Sequence, residues 1–504
     1  MAARAPGTWW REGVLYQVYP RSFQDSNGDG IGDLRGVIAR LDHLAWLGVD
    51  GIWLNPTFPS PDRDWGYDVA DYTAVHPDLG TLEDLDALVA EAGRRDIRVL
   101  LDLVPNHTSD QHPWFAEHPD YYVWADGDKL PNNWRSIFDG GPAWTRHANG
   151  RWYLRLFLAQ QPDLDWFNPA VAEEFDAIVR FWLDRGVAGF RIDVCQAIVK
   201  DRELRDDPGH SANRPEVHDV MRRWRALTDG YEDRVLVGET YVHELDQLMR
   251  YYGDGADELH LAFNIPFLQA PLDAARLRAI VEDVEAGLPP GAWPVWTGSN
   301  HDAGRLATRW ARGDAALARC ALVMLLTLRG TPFLYYGDEI GLCDVPIREE
   351  AVRDHAGGRD GGRTPMPWAS EPGGGFTTGA PWLPLGDGPS VAAQIQHPSS
   401  TLHLVRSLID LRRAQPDLRT GAYATVPAPD GVWAWRRGED WTVALNLGER
   451  NAELTLSGRI AVGTNRARDG EELSGTIRLR PAEAVVVFSG DDLRQRLPQN
   501  RRRL

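Results

Sequence analysis

Apolar positions along the chain alternate between two spacings, and the alternation repeats. Leu34 to Leu47 carries apolar residues at helical intervals and stops near Gly48, and Gly51 to Leu54 follows as a short continuous apolar run. Leu82 to Ala92 is helical again, then Val99 to Val104 reads as a strand. The amphipathic stretch Ala172 to Arg185 leads through Val187 and Ala188 into Gly189-Phe190-Arg191-Ile192-Asp193. Further strand patterns lie at Val235 to Val237, Leu259 to Phe263, Pro294 to Thr297 and Phe333 to Tyr336; with Gly13 to Pro20 at the start, there are eight. Short buried strands separated by helical segments predict parallel βα units, and eight of them predict an α/β fold of the (β/α)8 barrel type. The competing doubly wound sheet calls for a glycine-rich phosphate loop after the first strand, which this chain lacks.

Two stretches break the alternation. Between the barrel segments 1–106 and 170–420 lies a run rich in Trp, Asn, Asp and Pro, residues 107–169, too long for an ordinary βα loop and expected to form a subdomain over the barrel mouth. Beyond Thr420, short strand patterns at Val432 to Trp435, Thr442 to Asn446, Ala452 to Leu456 and Ala484 to Phe488 predict an antiparallel β-sandwich over 421–490, followed by a basic tail, 491–504. The Gly-rich segment Gly341 to Trp382 is expected to be a mobile loop that gates the mouth.

Composition narrows the partner. A net charge of -19 argues against nucleic acid, whose recognition needs a basic surface. Twenty-one tryptophans suit the flat faces of a neutral sugar as well as a core. The three cysteines, Cys195, Cys320 and Cys343, have no paired spacing, so neither disulfides nor zinc are expected. Without an apolar leader or a membrane-length run, the expectation is a cytoplasmic protein with no membrane partner. Oligomeric state is not legible.

Candidate chemistry lies where strands end. The third ends Asp102-Leu103-Val104-Pro105-Asn106-His107, the fourth Arg191-Ile192-Asp193, the fifth Gly238-Glu239 and the seventh runs into Asn300-His301-Asp302. Carboxylates, histidines and an arginine thus share the end of the barrel where such folds react. Acetal cleavage needs one carboxylic acid to protonate the leaving oxygen and one carboxylate to attack. Asp193 beside Arg191 is expected to stay ionised as the nucleophile. Glu239 is expected to be held protonated as acid/base, with Asp302 the third anion. A separate loop, Asp25-Ser26-Asn27-Gly28-Asp29-Gly30-Ile31-Gly32-Asp33, sets oxygen side chains at 25, 27, 29 and 33, as a hard cation requires. Gly36 stands where an EF-hand needs its acidic twelfth residue, so an isolated Ca2+ loop, open to Mg2+, is predicted.

These motifs, DLVPNH at 102–107, GFRID at 189–193, Glu239 after Gly238 and NHD at 300–302, resemble the signature regions of the α-amylase family of glycoside hydrolases. WREGVLYQVYPRSFQDSNGDGIGDLRG at the start, QPDLDW at 161–166 and RTPMPW at 363–368 point to its α-glucosidase and oligo-1,6-glucosidase branch. The resemblance implies Asp193 as nucleophile, Glu239 as acid/base and Asp302 as transition-state stabiliser. It places His107, Gln161, Arg191 and His301 in the sugar site, with Phe157 and Phe138 as aromatic walls. Asp64 and Tyr67 would close the pocket floor with Arg363 as ion-pair partner, and the Ile31 carbonyl would join Asp25, Asn27, Asp29 and Asp33 on the metal.

The implied activity is a retaining, exo-acting hydrolysis of terminal α-glucosyl residues, with the two carboxyls about 5 to 5.5 Å apart. Asp165 replaces the branch's usual Asn in QPDLNW, Val194 resembles α-1,6-acting members, and Cys195 and Gln196 match neither pattern, so linkage stays open. A transglucosidase or isomerase uses the same residues, and a glucosidase-like binding scaffold shares the fold without turnover.

Overall fold

The computed structural model describes residues 7–206, 212–354 and 357–490; the basic tail expected at 491–504 lies outside them. Eight parallel strands, Leu15–Val18, Gly51–Leu54, Arg98–Leu103, Gly189–Ile192, Val235–Gly238, Leu261–Ala262, Val295–Thr297 and Thr331–Tyr335, hydrogen-bond in chain order, and the eighth closes on the first through Leu15 opposite Phe333. No backbone ladder joins the sixth strand to the seventh among the described residues. The sixth is shorter than its apolar run Leu259 to Phe263, and the eighth begins earlier, at Thr331. Inside the barrel, the Phe263 ring packs edge-on to Phe333 at 4.9 Å and tilts against Trp53 at 5.8 Å.

Period-two alternation divides each strand between two environments. Leu15, Trp53, Leu100, Val235, Val237, Leu261, Val295 and Phe333 fill the barrel interior, while Tyr16, Ile52, Leu101, Phe190 and Leu236 face the surrounding helices. Above the apolar interior layer the inward positions become polar: Gln17, Asp102 and Arg191. The fourth strand opens on Gly189 at φ 143°, where an added Cβ would lie 1.9 Å from the Val235 carbonyl oxygen. Only glycine permits that approach, which brings the fourth and fifth strands, and hence Asp193 and Glu239, side by side.

The inserted segment forms a three-stranded antiparallel sheet, Trp124–Ala125, Trp144–Arg146 and Trp152–Leu154. Its core of Trp134, Trp144, Leu156 and Phe157 packs against Ala197 and Val194, just past the fourth strand. The C-terminal strands form one six-stranded antiparallel ladder, in place of two separate sheets. Strand Ala452–Gly463 shifts register between Ile460 and Val462. Leu454, Leu456, Ile477 and Leu479 pack with Ala434, Ala444, Val485 and Val487 into a core of their own. The helix Ala315–Thr327, buried on nearly all sides, links this sheet to the barrel. Arg412 and Arg437 donate to its final carbonyls, satisfying groups that a buried helix end would leave orphaned.

Candidate active site

One guanidinium gathers the strand-end carboxylates. Arg191, 1% exposed, donates through Nη1 to Asp102 Oδ1 (2.8 Å) and Asp193 Oδ1 (2.6 Å), and its Nη2 lies 2.7 Å from Glu239 Oε2. Trp53 and Tyr67 lie against it, with ring centroids 5.0 and 5.8 Å from the guanidinium carbon. Asp102 also accepts from the Tyr67 hydroxyl (2.9 Å) and Trp53 Nε1 (3.1 Å). In the sequence Asp102 stands only as the start of a motif, although its inward position next to the last residue of the third strand is the available signal.

Three carboxylates against one buried cation reverse an expectation. Arg191 was expected to keep Asp193 ionised, but burial pushes the Asp193 carboxyl well above its ordinary range, and Glu239 and Asp102 add repulsion that Arg191 does not cancel. Burial likewise raises Asp102 to about 6 despite its pairing with Arg191. Arg191 serves all three acids, so Asp193 receives a share of its charge.

Glu239 lies directly after the fifth strand and accepts from the backbone N–H of Val194 at 3.0 Å. Val194 adopts φ 37°, a left-handed conformation in which a β-branched residue is strained by about 1–3 kcal/mol. The strain falls on the residue that joins the Asp193 strand to Glu239.

Asp302 belongs to a second cluster. Its Oδ1 accepts from Arg359 Nη1 and Arg363 Nη2, both at 3.0 Å, and His301 Nε2 lies 3.1 Å from Oδ2. Burial opposes its charge, but His301, Arg359 and Arg363 outweigh burial and hold the carboxyl well below the usual range. Arg359 Nη2 donates to Asp64 Oδ1 at 2.7 Å, Nε donates to Asp354 Oδ2 at 2.6 Å, and the guanidinium lies over Phe138 at 5.1 Å. The pocket-floor partner of Asp64 is therefore Arg359; Arg363, expected in that role, donates instead to Asp302 and the His301 carbonyl. The two arginines flank one short 3-10 turn, and spacing alone does not tell which of them turns toward Asp64. The segment between Gly341 and Trp382, expected to be mobile, sends both arginines into the floor and buries Met366, Trp368 and Phe376.

The remaining predicted site residues converge here. Tyr67 stacks on His301 at 5.3 Å, its hydroxyl 2.6 Å from Nε2. The Gln17 amide donates to His301 Nδ1 (2.9 Å), which leaves the proton on Nε2, and burial pushes the imidazole well below its ordinary range, so it is neutral near pH 7. Burial also lowers His107, which lies 3.1 Å from the Tyr67 carbonyl and the same distance from Gln161 Nε2. Gln161 Nε2 reaches Asp64 Oδ2 at 3.0 Å, and Phe157 tilts against His107 at 5.1 Å and against Phe138 at 5.3 Å. Glu239 and Asp302 line a cleft of about 500 Å3 that opens beside them.

The loop at 25–33 lies apart from this cluster. Asp25 accepts from the amides of Asn27, Gly28 and Gly30, Asp29 from Asn27 Nδ2, and Asp33 caps the next helix through Gly36 N. Its donors are all oxygens, the kind a hard cation takes, and carboxylates that accept amides keep further lone pairs. The carboxylates of Asp25, Asp29 and Asp33 do not close on one another. Among the described residues only Asp62, His76 and Asp78 bring three such side chains within 4.8 Å, and Arg21 already pairs with both of those aspartates.

A parallel barrel whose mouth gathers a buried aspartate, a neighbouring glutamate and a charged third aspartate has the acid pair that glycosidic bond cleavage needs. The chain belongs to the α-amylase family: the model of the alpha amylase catalytic domain matches residues 17–421. A probable alpha-glucosidase of Rhizobium meliloti (strain 1021) is 43% identical over 82% of this chain and 84% of its own length. An oligo-1,6-glucosidase of Halalkalibacterium halodurans is 34% identical over 96% and 99%. Among solved structures, the alpha-glucosyl transfer enzyme XgtA superposes with a TM-score of 0.89 at 37% identity, covering 97% of this chain and 100% of that one. The trehalulose synthase MutB from Pseudomonas mesoacidophila MX-45 gives 0.87 at 31%, with 96% and 100% covered.

Proposed function

We propose that the chain is a retaining, exo-acting α-glucosidase that removes terminal α-glucosyl residues from short oligosaccharides or α-glucosides. The observation that carries this reading is Arg359: by bridging Asp64 to Asp302 under Phe138 it closes one end of the site, so a chain end is admitted and a chain interior is not. Asp64, Arg359, His107 and neutral His301 would bind the hydroxyls of the terminal sugar, with Tyr67, Phe157 and Gln161 holding those groups in place. Glu239 protonates the glycosidic oxygen as Asp193 attacks the anomeric carbon and the bond to the leaving alcohol breaks. Water then attacks the same carbon, Glu239 takes its proton, and Asp193 leaves as a carboxylate. This cycle needs one proton in the Arg191 cluster, and three crowded acids on one cation supply it.

Proton NMR during hydrolysis of p-nitrophenyl α-glucoside tests the reading: α-glucose should appear first. Release of β-glucose would overturn retention, and rapid internal cleavage of starch would overturn the exo assignment. The relationship to XgtA and MutB favours a second reading, transfer or isomerisation. Oligosaccharides as main products at high maltose, or a sucrose isomer, would select it, whereas absence of all turnover would leave a sugar-binding scaffold.

For the loop, we propose Ca2+, with Mg2+ as substitute, held by Asp25, Asn27, Asp29, Asp33 and the Ile31 carbonyl to fix the entry to the helix Leu34–Leu47. Chelation should lower Tm by a few degrees and Ca2+ should restore it. We also propose a cytoplasmic location: the three cysteines are free thiols, and no helix among the described residues is long and apolar enough to cross a membrane.

A further inference from the structure

The cleft outside the sugar pocket has its own chemistry. Glu239, the group that must reach the leaving oxygen, lines it together with Ile265, Leu268, Pro271, Trp310 and Tyr241. Ile265, Leu268 and Trp310 are buried wall residues, so this face is fixed. Two of its polar side chains are partly engaged, although Arg309 Nε has no partner. Asn300 Oδ1 accepts from the amides of Asp302 and Ala303, and Arg309 donates to the Gly298 carbonyl and lies against Trp310.

Tyr241 is 47% exposed, one of three large hydrophobic residues so exposed among those described. It is nevertheless held at both ends: its backbone N–H donates to Gln196 Oε1 at 3.0 Å and its hydroxyl accepts from Gln269 Nε2 at 2.7 Å. An aromatic ring fixed while still facing water presents contact area at little entropic cost to whatever enters. Gln196, which fits neither sequence pattern of the branch, thereby acquires a role in aiming Tyr241.

We propose that this cleft is a leaving-group site for apolar aglycones, alkyl or aryl, and that Tyr241 is its specificity-determining residue. The proposal rests on the α-glucosidase reading above. A hydroxyl-rich second sugar finds few free polar partners along Ile265, Leu268, Pro271 and Trp310, whereas an alkyl chain or aromatic ring exchanges water for those side chains and the Tyr241 face.

The test compares hexyl and methyl α-D-glucoside, whose leaving alcohols are similar in acidity, so that a difference reports contact along the cleft and not leaving ability. In the wild type, kcat/KM for the hexyl glucoside should exceed that for the methyl glucoside by about 10-fold or more, the scale expected for burying several methylenes. Tyr241→Ala should reduce the ratio to within about 3-fold of unity, and Tyr241→Phe, which keeps the ring, should retain most of it. A ratio near one in the wild type, or one unchanged in Tyr241→Ala, would overturn the cleft proposal and leave the α-glucosidase reading intact. If neither glucoside is hydrolysed while maltose is, this proposal falls alone; if maltose and p-nitrophenyl α-glucoside are also untouched, the α-glucosidase reading falls with it.

Discussion

The pocket floor sets two guanidiniums, Arg359 and Arg363, among Asp64, Asp302 and Asp354, whereas the neighbouring strand cluster sets one, Arg191, among Asp102, Asp193 and Glu239. Both set guanidiniums among carboxylates, but Asp302 on the floor keeps about a third of its side chain exposed, whereas Asp102 and Asp193 are buried. On the floor the cations prevail, and the Asp302 and Asp354 carboxyls are held well below their usual range. In the strand cluster burial and repulsion prevail, and Asp102 and Asp193 are raised. A second arginine, with His301 and the open side of Asp302, separates a charged clamp from a group of acids that keeps a proton, and acid/base chemistry requires the second kind of environment.

The most severe way to break the comparison is to remove the nucleophile. Asp193→Asn keeps the shape and relieves the crowding, so the cluster should become more stable while kcat falls by about 10^4-fold or more. A fall below about 10-fold in steady-state assays would show that the attacking group lies elsewhere. On the floor, Arg359→Ala should cost about 10^2 to 10^3 in kcat/KM, because Asp64 and Asp302 lose a shared fork. Arg359→Lys should recover little, since a point charge does not reach Asp64, Asp302 and Asp354 together. Full recovery by lysine would mean that charge alone, without bidentate geometry, organises the floor.

A subtler substitution sharpens the contrast. Asp102→Asn removes one of the repelling charges that raise Asp193, so the acid limb of the kcat/KM profile should move to lower pH, at a cost of about 10-fold in maximal rate from weaker anchoring of Arg191. Movement of that limb to higher pH would show that Asp102 acts mainly by positioning Arg191.

The chain pattern made the barrel and its catalytic strand ends readable, because inward and outward positions of short strands obey a period of two and ionisable pairs at their ends stand out from it. Arg191, Asp193, Glu239 and Asp302 were visible for that reason. What escaped depends on three-dimensional choices. Arg359 and Arg363 lie four residues apart in one turn, and only packing against Phe138 and Tyr19 decides which of them reaches Asp64. The raised Asp193 carboxyl depends on three strands delivering acids to one cation, a sum that no local window contains. Nothing in the sequence marks Tyr241, because an exposed tyrosine after a strand is ordinary until its tethers to Gln196 and Gln269 are in place.

The smallest expected effect bears directly on the comparison, because the two clusters should leave opposite marks on stability against pH. Asp302 and Asp354 have folded-state pKa values below their unfolded ones, so their contribution is present above about pH 4, the usual unfolded range, and is lost as pH falls toward the folded values. Asp102 has the reverse sign: between its unfolded value near pH 4 and its folded value of about 6 the unfolded chain gives up the proton first, so stability declines with rising pH across that window and is level above it. Urea unfolding at intervals from pH 3 to 7 reads both. Relative to wild type, Asp354→Asn should flatten the acid-side loss, and Asp102→Asn should lessen the decline between about pH 4 and 6, leaving the share that Asp193 contributes. If both variants bend the curve in the same direction, the two clusters do not differ in charge balance, and the second arginine, His301 and the open side of Asp302 would cease to explain which of them holds a proton.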